Sequence, residues 1–266
     1  MRLRDKVAIV TGGGSGIGKA IAELFAAAGA KLVVASRNLQ ALEQTAREIR
    51  SSGGAALAVQ ADLTVEEQVR HLVHRCVDDF GGVDILVNNS AAMIPDEVEV
   101  ADMTLDHWNK VLGVNLTGTM LCCREALQVM MPKRTGSIVN VSSIAGVIGN
   151  PKRSPYSASK WAVNGLTETL AIEAGPHNIR VNSLSPAATR TERFEAAVRA
   201  RAERFGTSFE DLMAKILSHY SMRRLAEPME VARAALFLAS DESSAITGQN
   251  LIVSCGFHML NPTEIR

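Results

Sequence analysis

The sequence has no excess of either charge: lysine plus arginine and aspartate plus glutamate each number 28, a formal net charge of zero at pH 7. Without a basic surplus the chain lacks the electrostatic footprint that DNA, RNA or an acidic membrane surface requires, so no nucleic acid or membrane is expected as a partner. Cysteine is scarce. Cys76, Cys122, Cys123 and Cys255 are the only four in 266 residues and show no metal-ligand spacing. They read as reduced thiols of a chain with an adequate core, not as a disulfide scaffold. No apolar run approaches a membrane span, and the apolar residues 7–10 after the N-terminal charges are too few for a secretory segment. A cytoplasmic location is expected. Repeats, low-complexity tracts and Pro/Gly linkers are missing as well, which predicts a single domain over 1–266.

What the chain does have is alternation. Short runs rich in valine, isoleucine and leucine fall at 7–10, 32–35, 55–59, 85–87, 137–141, 181–184 and 250–253, with little polar interleaving, as strands buried on both faces require. Between them lie helix-length patterns at 16–28, 39–49, 66–80, 105–131, 156–174 and 228–238, the last opening on Pro228 at a position where a missing N–H costs nothing. This order predicts right-handed βαβ units, hence an α/β fold with a doubly wound parallel sheet and helices on both faces. The polar, helix-patterned stretch at about 190–222 breaks the rhythm and reads as a substrate cover. His71, His74 and Asp78 recur at i, i+3 and i+7, which reads as a solvated helix face, so no metal is expected.

Directly after the first strand stands Thr11-Gly12-Gly13-Gly14-Ser15-Gly16-Ile17-Gly18, followed by an amphipathic helix. Glycines let a backbone approach a pyrophosphate closely, and a helix N-terminus supplies free N–H groups with the positive end of its dipole. Taken alone such a turn is also compatible with a plain loop. The second strand ends in Ser36-Arg37-Asn38 with no carboxylate. An acidic residue there would bind a ribose 2′-hydroxyl, whereas a guanidinium suits a 2′-phosphate. Arg37, with Ser36 as a second donor, favours NADP(H) over NAD(H); a plain surface arginine is the alternative.

Tyr156 and Lys160 sit at i and i+4 on one helical face. A phenol ionises near pH ~10, and a neighbouring ammonium is expected to lower that value and fit it for proton transfer. Ser143 lies just beyond the fifth apolar strand, at the strand end where such sheets bind substrates, placed to donate a hydrogen bond to the same oxygen. Each feature has a plainer reading, a surface pair or a serine that caps a strand.

In this order the motifs resemble those of the short-chain dehydrogenase/reductase family, from residue 6 to about 256, and the resemblance implies a Rossmann-like fold. It implies that Gly12, Ser15, Gly16, Ile17 and Gly18 form the cofactor turn, that Asp62 and Leu63 contact the adenine, and that Asn89 in Asn88-Asn89-Ser90-Ala91 belongs to the cofactor site. It identifies Asn115 as the fourth catalytic residue beside Ser143, Tyr156 and Lys160, distorting its helix and holding a relay water. Lys160 and Tyr156 also face the nicotinamide ribose, and Thr189 and Thr191 its carboxamide. Three places depart from the family pattern: Ser90-Ala91, Ala187 after Pro186, where glycine is usual, and Ser254-Cys255 after Val253. The implied activity is reduction of a ketone or aldehyde, or oxidation of the alcohol, with a hydrophobic or cyclic substrate expected near 91–94, 144–148 and 194–209 and Arg153 as a polar anchor. The alternatives are a 3-oxoacyl-carrier-protein reductase, with Lys133-Arg134 as docking residues but His177 in place of a second arginine, and a non-catalytic NADPH sensor or scaffold. A homotetramer or homodimer packed through 105–131 and 156–174 is implied too, and the tail 257–266 is a candidate contributor to a neighbouring site.

Overall fold

Apolar runs buried on both faces become the strands of one sheet in the computed structural model, which describes residues 1–92 and 98–257. In chain order these are β1 Val7–Thr11, β2 Lys31–Ser36, β3 Ala55–Gln60, β4 Ile85–Asn88, β5 Gly136–Val141, β6 Ile179–Pro186 and β7 Asn250–Val253. All seven run parallel in the order β3-β2-β1-β4-β5-β6-β7. The order reverses between β1 and β4, and there a crevice opens at the carboxyl ends of the strands.

Alternation along β1 feeds two cores. Ala8 and Val10 pack with Ile21 and Phe25 of α1 (Gly16–Ala27), Leu42 of α2 (Leu39–Ser51) and Val231 and Ala235 of α9 (Pro228–Ala239). Val7 and Ile9 point the other way, towards Leu72 of α3 (Glu66–Phe80), Met130 of α5 (Gly118–Lys133) and Leu170 of α6 (Ser154–Ala174). Each such fully buried aliphatic chain contributes roughly 1.5–3 kcal/mol, and the buried polar side chains of the central strands, Thr11, Asn88, Ser137 and Asn140, are held in hydrogen bonds. Pro228 opens α9 as its sequence position suggests, inside a capping box formed by Glu227 and Glu230. His71, His74 and Asp78 are exposed on α3. No helix among the described residues is long and apolar enough to cross a membrane.

One predicted helix is divided. The pattern over 105–131 continues unbroken in sequence, yet the structure has α4 Leu105–Leu112, a π-helical turn Gly113–Thr117 and then α5. The extra residue in that turn swings Asn115 inward, where it is fully buried. Hydropathy misses this because the residues on both sides remain apolar and the inserted turn changes phase, not composition. The predicted cover resolves into α7 Glu192–Phe205 and α8 Phe209–Leu217. Its far end is tied down by Tyr220, which is buried against Phe257 and Leu225 beside Ala187.

Candidate active site

The glycine turn after β1 is built by backbone fit. Gly12 has φ 68°, a left-handed conformation that glycine adopts without strain, and a Cβ on Gly18 would lie 2.1 Å from the Gly12 carbonyl oxygen. Ser15 stands at the N-cap of α1 without capping it through its side chain, so the first N–H groups of the helix have no side-chain acceptor from Ser15. That is the geometry a pyrophosphate requires, and the residues present fit a dinucleotide. Asn89 braces the turn from β4: its amide donates to the Thr11 and Gly12 carbonyls at 3.1 and 3.4 Å. Ile17 packs against the core beneath.

At the end of β2, Arg37, Gln60, Asp62 and Gln68 line a cleft. Gln60 donates to the Arg37 carbonyl at 2.9 Å, while the Asp62 N–H donates to Gln68 at 2.7 Å. Hydrogen bonds from Thr64, backbone first and then hydroxyl, together with the attraction of Arg37, hold the Asp62 carboxyl below its ordinary value. Ser36 accepts from the Asn38 N–H at 3.2 Å, which leaves its own proton to donate elsewhere. Leu63 is buried against Gly118.

Ser143, Tyr156 and Lys160 meet where β5 ends. The Ser143 hydroxyl accepts from the Ala145 N–H at 3.1 Å and is hydrogen-bonded with the Tyr156 phenol. Lys160 is buried, 2% exposed; its Nζ donates to the Val141 carbonyl at 2.8 Å and lies 5.7 Å from the centre of the Tyr156 ring. Burial alone depresses the lysine to about 8. Burial raises the Tyr156 phenol above its ordinary value, opposed by the Ser143 hydrogen bond and by the attraction of Arg193 and Arg153. The expectation that Lys160 lowers the phenol is therefore corrected: desolvation prevails, and the cations that act on the ring oxygen come from the first turn of α7 and the N-cap of α6. Arg193 was not legible in the sequence, since nothing local marks a cover residue that folds back 37 positions.

Asn115 reaches α6 through Ser159. Its Oδ1 accepts from the Ala92 N–H at 2.7 Å, and its Nδ2 donates to the Ala92 carbonyl and to Ser159 Oγ, both at 3.1 Å. Ser159 in turn donates to the Tyr156 carbonyl. Thr191 caps α7 by accepting from the Phe194 N–H, and its methyl lies 3.4 Å from where a Gly16 Cβ would stand, so α7 begins beside the glycine turn. Thr189 is buried and donates to the Ala187 carbonyl. Ala187 is not among the residues of positive φ, so its alanine carries no such strain; Cys255 is, at 49°. Lys133 and Arg134 donate to the Gly81 and Pro176 carbonyls. Met93, Ile94 and the tail 258–266 lie outside the described residues.

A parallel sheet with a glycine turn and a Ser143–Tyr156–Lys160 group at the strand ends, its lysine buried, is an arrangement that suits a dinucleotide-dependent oxidoreductase. The chain belongs to the short-chain dehydrogenase/reductase family: the family model described as "Enoyl-(Acyl carrier protein) reductase" matches residues 12–258. It is 40% identical to 2,5-dichloro-2,5-cyclohexadiene-1,4-diol dehydrogenase of Sphingobium indicum, over 96% of this chain and 98% of that one. It is 36% identical to a 3-oxoacyl-[acyl-carrier-protein] reductase of Thermotoga maritima, over 96% and 99%. Among solved structures it superposes on levodione reductase with a TM-score of 0.91 and 29% identity, covering 96% of this chain and 98% of that one.

Proposed function

We propose that this oxidoreductase interconverts a cyclic or otherwise hydrophobic ketone and its alcohol with NADP(H). The observation that carries the reading is the convergence of Ser143, Tyr156 and Lys160 at the end of β5. The bound cofactor supplies or accepts hydride. With its phenol held above the ordinary ~10, Tyr156 is protonated at neutral pH and donates that proton to the carbonyl oxygen. Because Ser143 Oγ takes the Ala145 N–H as its donor, its own proton is left for the phenol or the substrate oxygen as negative charge develops there. Lys160 presents a buried ammonium below the phenol, and Asn115 fixes the backbone of α6 through Ser159. Gly12, Ser15, Gly16, Ile17 and Gly18 cradle the pyrophosphate, Thr189 and Thr191 line the nicotinamide end, and Arg37 with Ser36 reads a 2′-phosphate.

Ile144, Phe194, Met213 and Ile216 form an apolar wall around Ala187 and Tyr220, which suits a hydrophobic substrate. The cyclic diol named for the Sphingobium relative supports a ring. Reduction of a carrier-bound 3-oxoacyl thioester is the second reading, favoured by the Thermotoga relative. We also propose assembly as a homo-oligomer through the exposed apolar side chains Leu105 of α4 and Trp161 and Ile172 of α6.

The test pairs fluorescence titrations of NADPH and NADH with turnover of wild type and Tyr156→Phe on a cyclic ketone and an acetoacetyl thioester. NADPH is expected to bind at least ~10-fold tighter, about 1.4 kcal/mol, and Tyr156→Phe to keep that affinity while losing turnover. Preference for NADH overturns the role of Arg37, and wild-type turnover by the variant overturns the role of Tyr156. Faster thioester reduction selects the second reading; tight binding with no turnover of any carbonyl selects a sensor.

A further inference from the structure

Lys160 is gripped at both ends by the chain that leaves β5. Its Nζ donates to the Val141 carbonyl at 2.8 Å, and its own carbonyl accepts from Ser142 Oγ at 3.0 Å. One turn further along α6, Asn164 Nδ2 donates to the Gly146 carbonyl at 2.9 Å. Between these contacts runs a 3-10 turn, Ile144–Gly146, whose first N–H groups are held by Ser143: Oγ takes Ala145 and the carbonyl takes Gly146 at 2.8 Å. Gly146 rests directly on α6. A Cβ there would lie 2.8 Å from the Lys160 carbonyl carbon and oxygen and 2.8 Å from Ser142 Oγ. Gly146 is not among the residues of positive φ, so proximity and not backbone freedom calls for a glycine. Two of the three blocking atoms are backbone, which cannot rotate away.

We infer that Gly146 is a positioning residue, setting the gap between the Ser143 turn and the Tyr156–Lys160 turn of α6, with Ser142 and Asn164 as the clasp that closes it. The inference rests on the proposed roles of Ser143 and Tyr156. Catalytic groups work only when held within about 0.5 Å of the productive geometry, and a Cβ at Gly146 demands a retreat of that order. Ser143 lies three residues before Gly146 in the same turn, so separating the turn from α6 breaks the Ser143–Tyr156 hydrogen bond. The phenol then loses an interaction that favours its ionised form, and its midpoint rises further.

This chain suits a spectroscopic test because it has only two tyrosines, Tyr156 and Tyr220. Phenolate absorbance is titrated in the full-length protein and in Gly146→Ala and Asn164→Ala, each with and without Tyr156→Phe, so that the difference reports Tyr156 alone. Gly146→Ala is expected to raise the Tyr156 midpoint by about one pH unit, the scale of one hydrogen bond to a charged group. It is also expected to lower kcat on a cyclic ketone by roughly 10²-fold with little change in NADPH affinity. Asn164→Ala adds no atom, so it tests the clasp even if Gly146→Ala fails to fold; the same shift, smaller, is expected. An unmoved Tyr156 midpoint in folded Asn164→Ala, with wild-type kcat, overturns the inference, as does an activity loss in Gly146→Ala with that midpoint unmoved. Wild-type turnover by Tyr156→Phe instead strikes the proposed acid while leaving the titration free to report on the clasp.

Discussion

The two helices that frame the crevice, α1 and α6, are built to opposite standards. At the start of α1 the fit is made by backbone: glycines, carbonyls and the Asn89 amide interlock. At α6 it is made by side chains that the fold accommodates at a cost. Lys160 is a desolvated ammonium, and Ser154 Oγ, Ser157 Oγ and Asn164 Oδ1 are buried without a hydrogen-bond partner. The fourth such atom among the described residues, Asn88 Oδ1, lies at the end of β4. Each uncompensated polar atom costs ~1–3 kcal/mol. The start of α1 is thus fitted atom against atom by its backbone, whereas α6 carries desolvated and unpartnered polar groups that lower its stability.

Substitutions can break this contrast or sharpen it. The largest effect is expected from Gly18→Ala, whose Cβ would sit 2.1 Å from the Gly12 oxygen. Overpacking of backbone against backbone should destabilise the fold by about 3 kcal/mol and weaken NADPH binding by ~100-fold or more. Thermal denaturation and fluorescence titration measure both, and unchanged binding would refute the tight-fit account of α1.

Lys160→Met should do the reverse, abolishing turnover while raising Tm. The folded-state value of about 8 lies below the ordinary 10.5, so the unfolded chain binds the proton more readily. The burial penalty is in full force below pH 8 and fades as pH rises towards 10.5. The variant's gain is therefore about 1–3 kcal/mol at pH 7, after allowance for the Val141 carbonyl it leaves unpaired, and it shrinks on the alkaline side. A gain that grows with pH would contradict the assignment. Smallest is Cys255→Gly, which relieves a φ of 49° at the strand exit where the cover is anchored. It should add about 1 kcal/mol without touching turnover, seen as a modest rise in the denaturation midpoint.

Much of this contrast was legible in the sequence, unevenly. The strands were, because burial on both faces leaves continuous apolar runs, and the glycine turn was, because its physics lies in consecutive residues. Ser143, Tyr156 and Lys160 could be proposed as partners from spacing and order, and they do meet. What escaped was set by packing across the chain. The family resemblance singled out Asn115 and a distorted helix, but the apolar pattern over 105–131 did not show the π-helical turn that carries it inward, and Arg193 acts on the phenol from a segment whose path no local pattern fixes. Gly146 looked like one glycine among 20; only its distance from Lys160 distinguishes it. Ala187 stands where glycine is usual in the family, and its φ is not positive, as suits an alanine; the positive φ near this strand end belongs to Cys255.

The strand order has a consequence for how the chain is made. β1 comes first in sequence but lies between β2 and β4, and the contact that fastens it to the start of β4, Val7 N–H to Asp84 Oδ2, joins residues 77 apart. Closing so long a loop is slow compared with pairing β1 to β2. During synthesis, therefore, one side of a strand that is apolar from Val7 to Val10 waits with its peptide groups unpaired until β4 has left the ribosome. An exposed edge of that kind recruits other chains. The central position that makes β1 the best-protected strand of the finished enzyme makes it the most vulnerable strand of the nascent one.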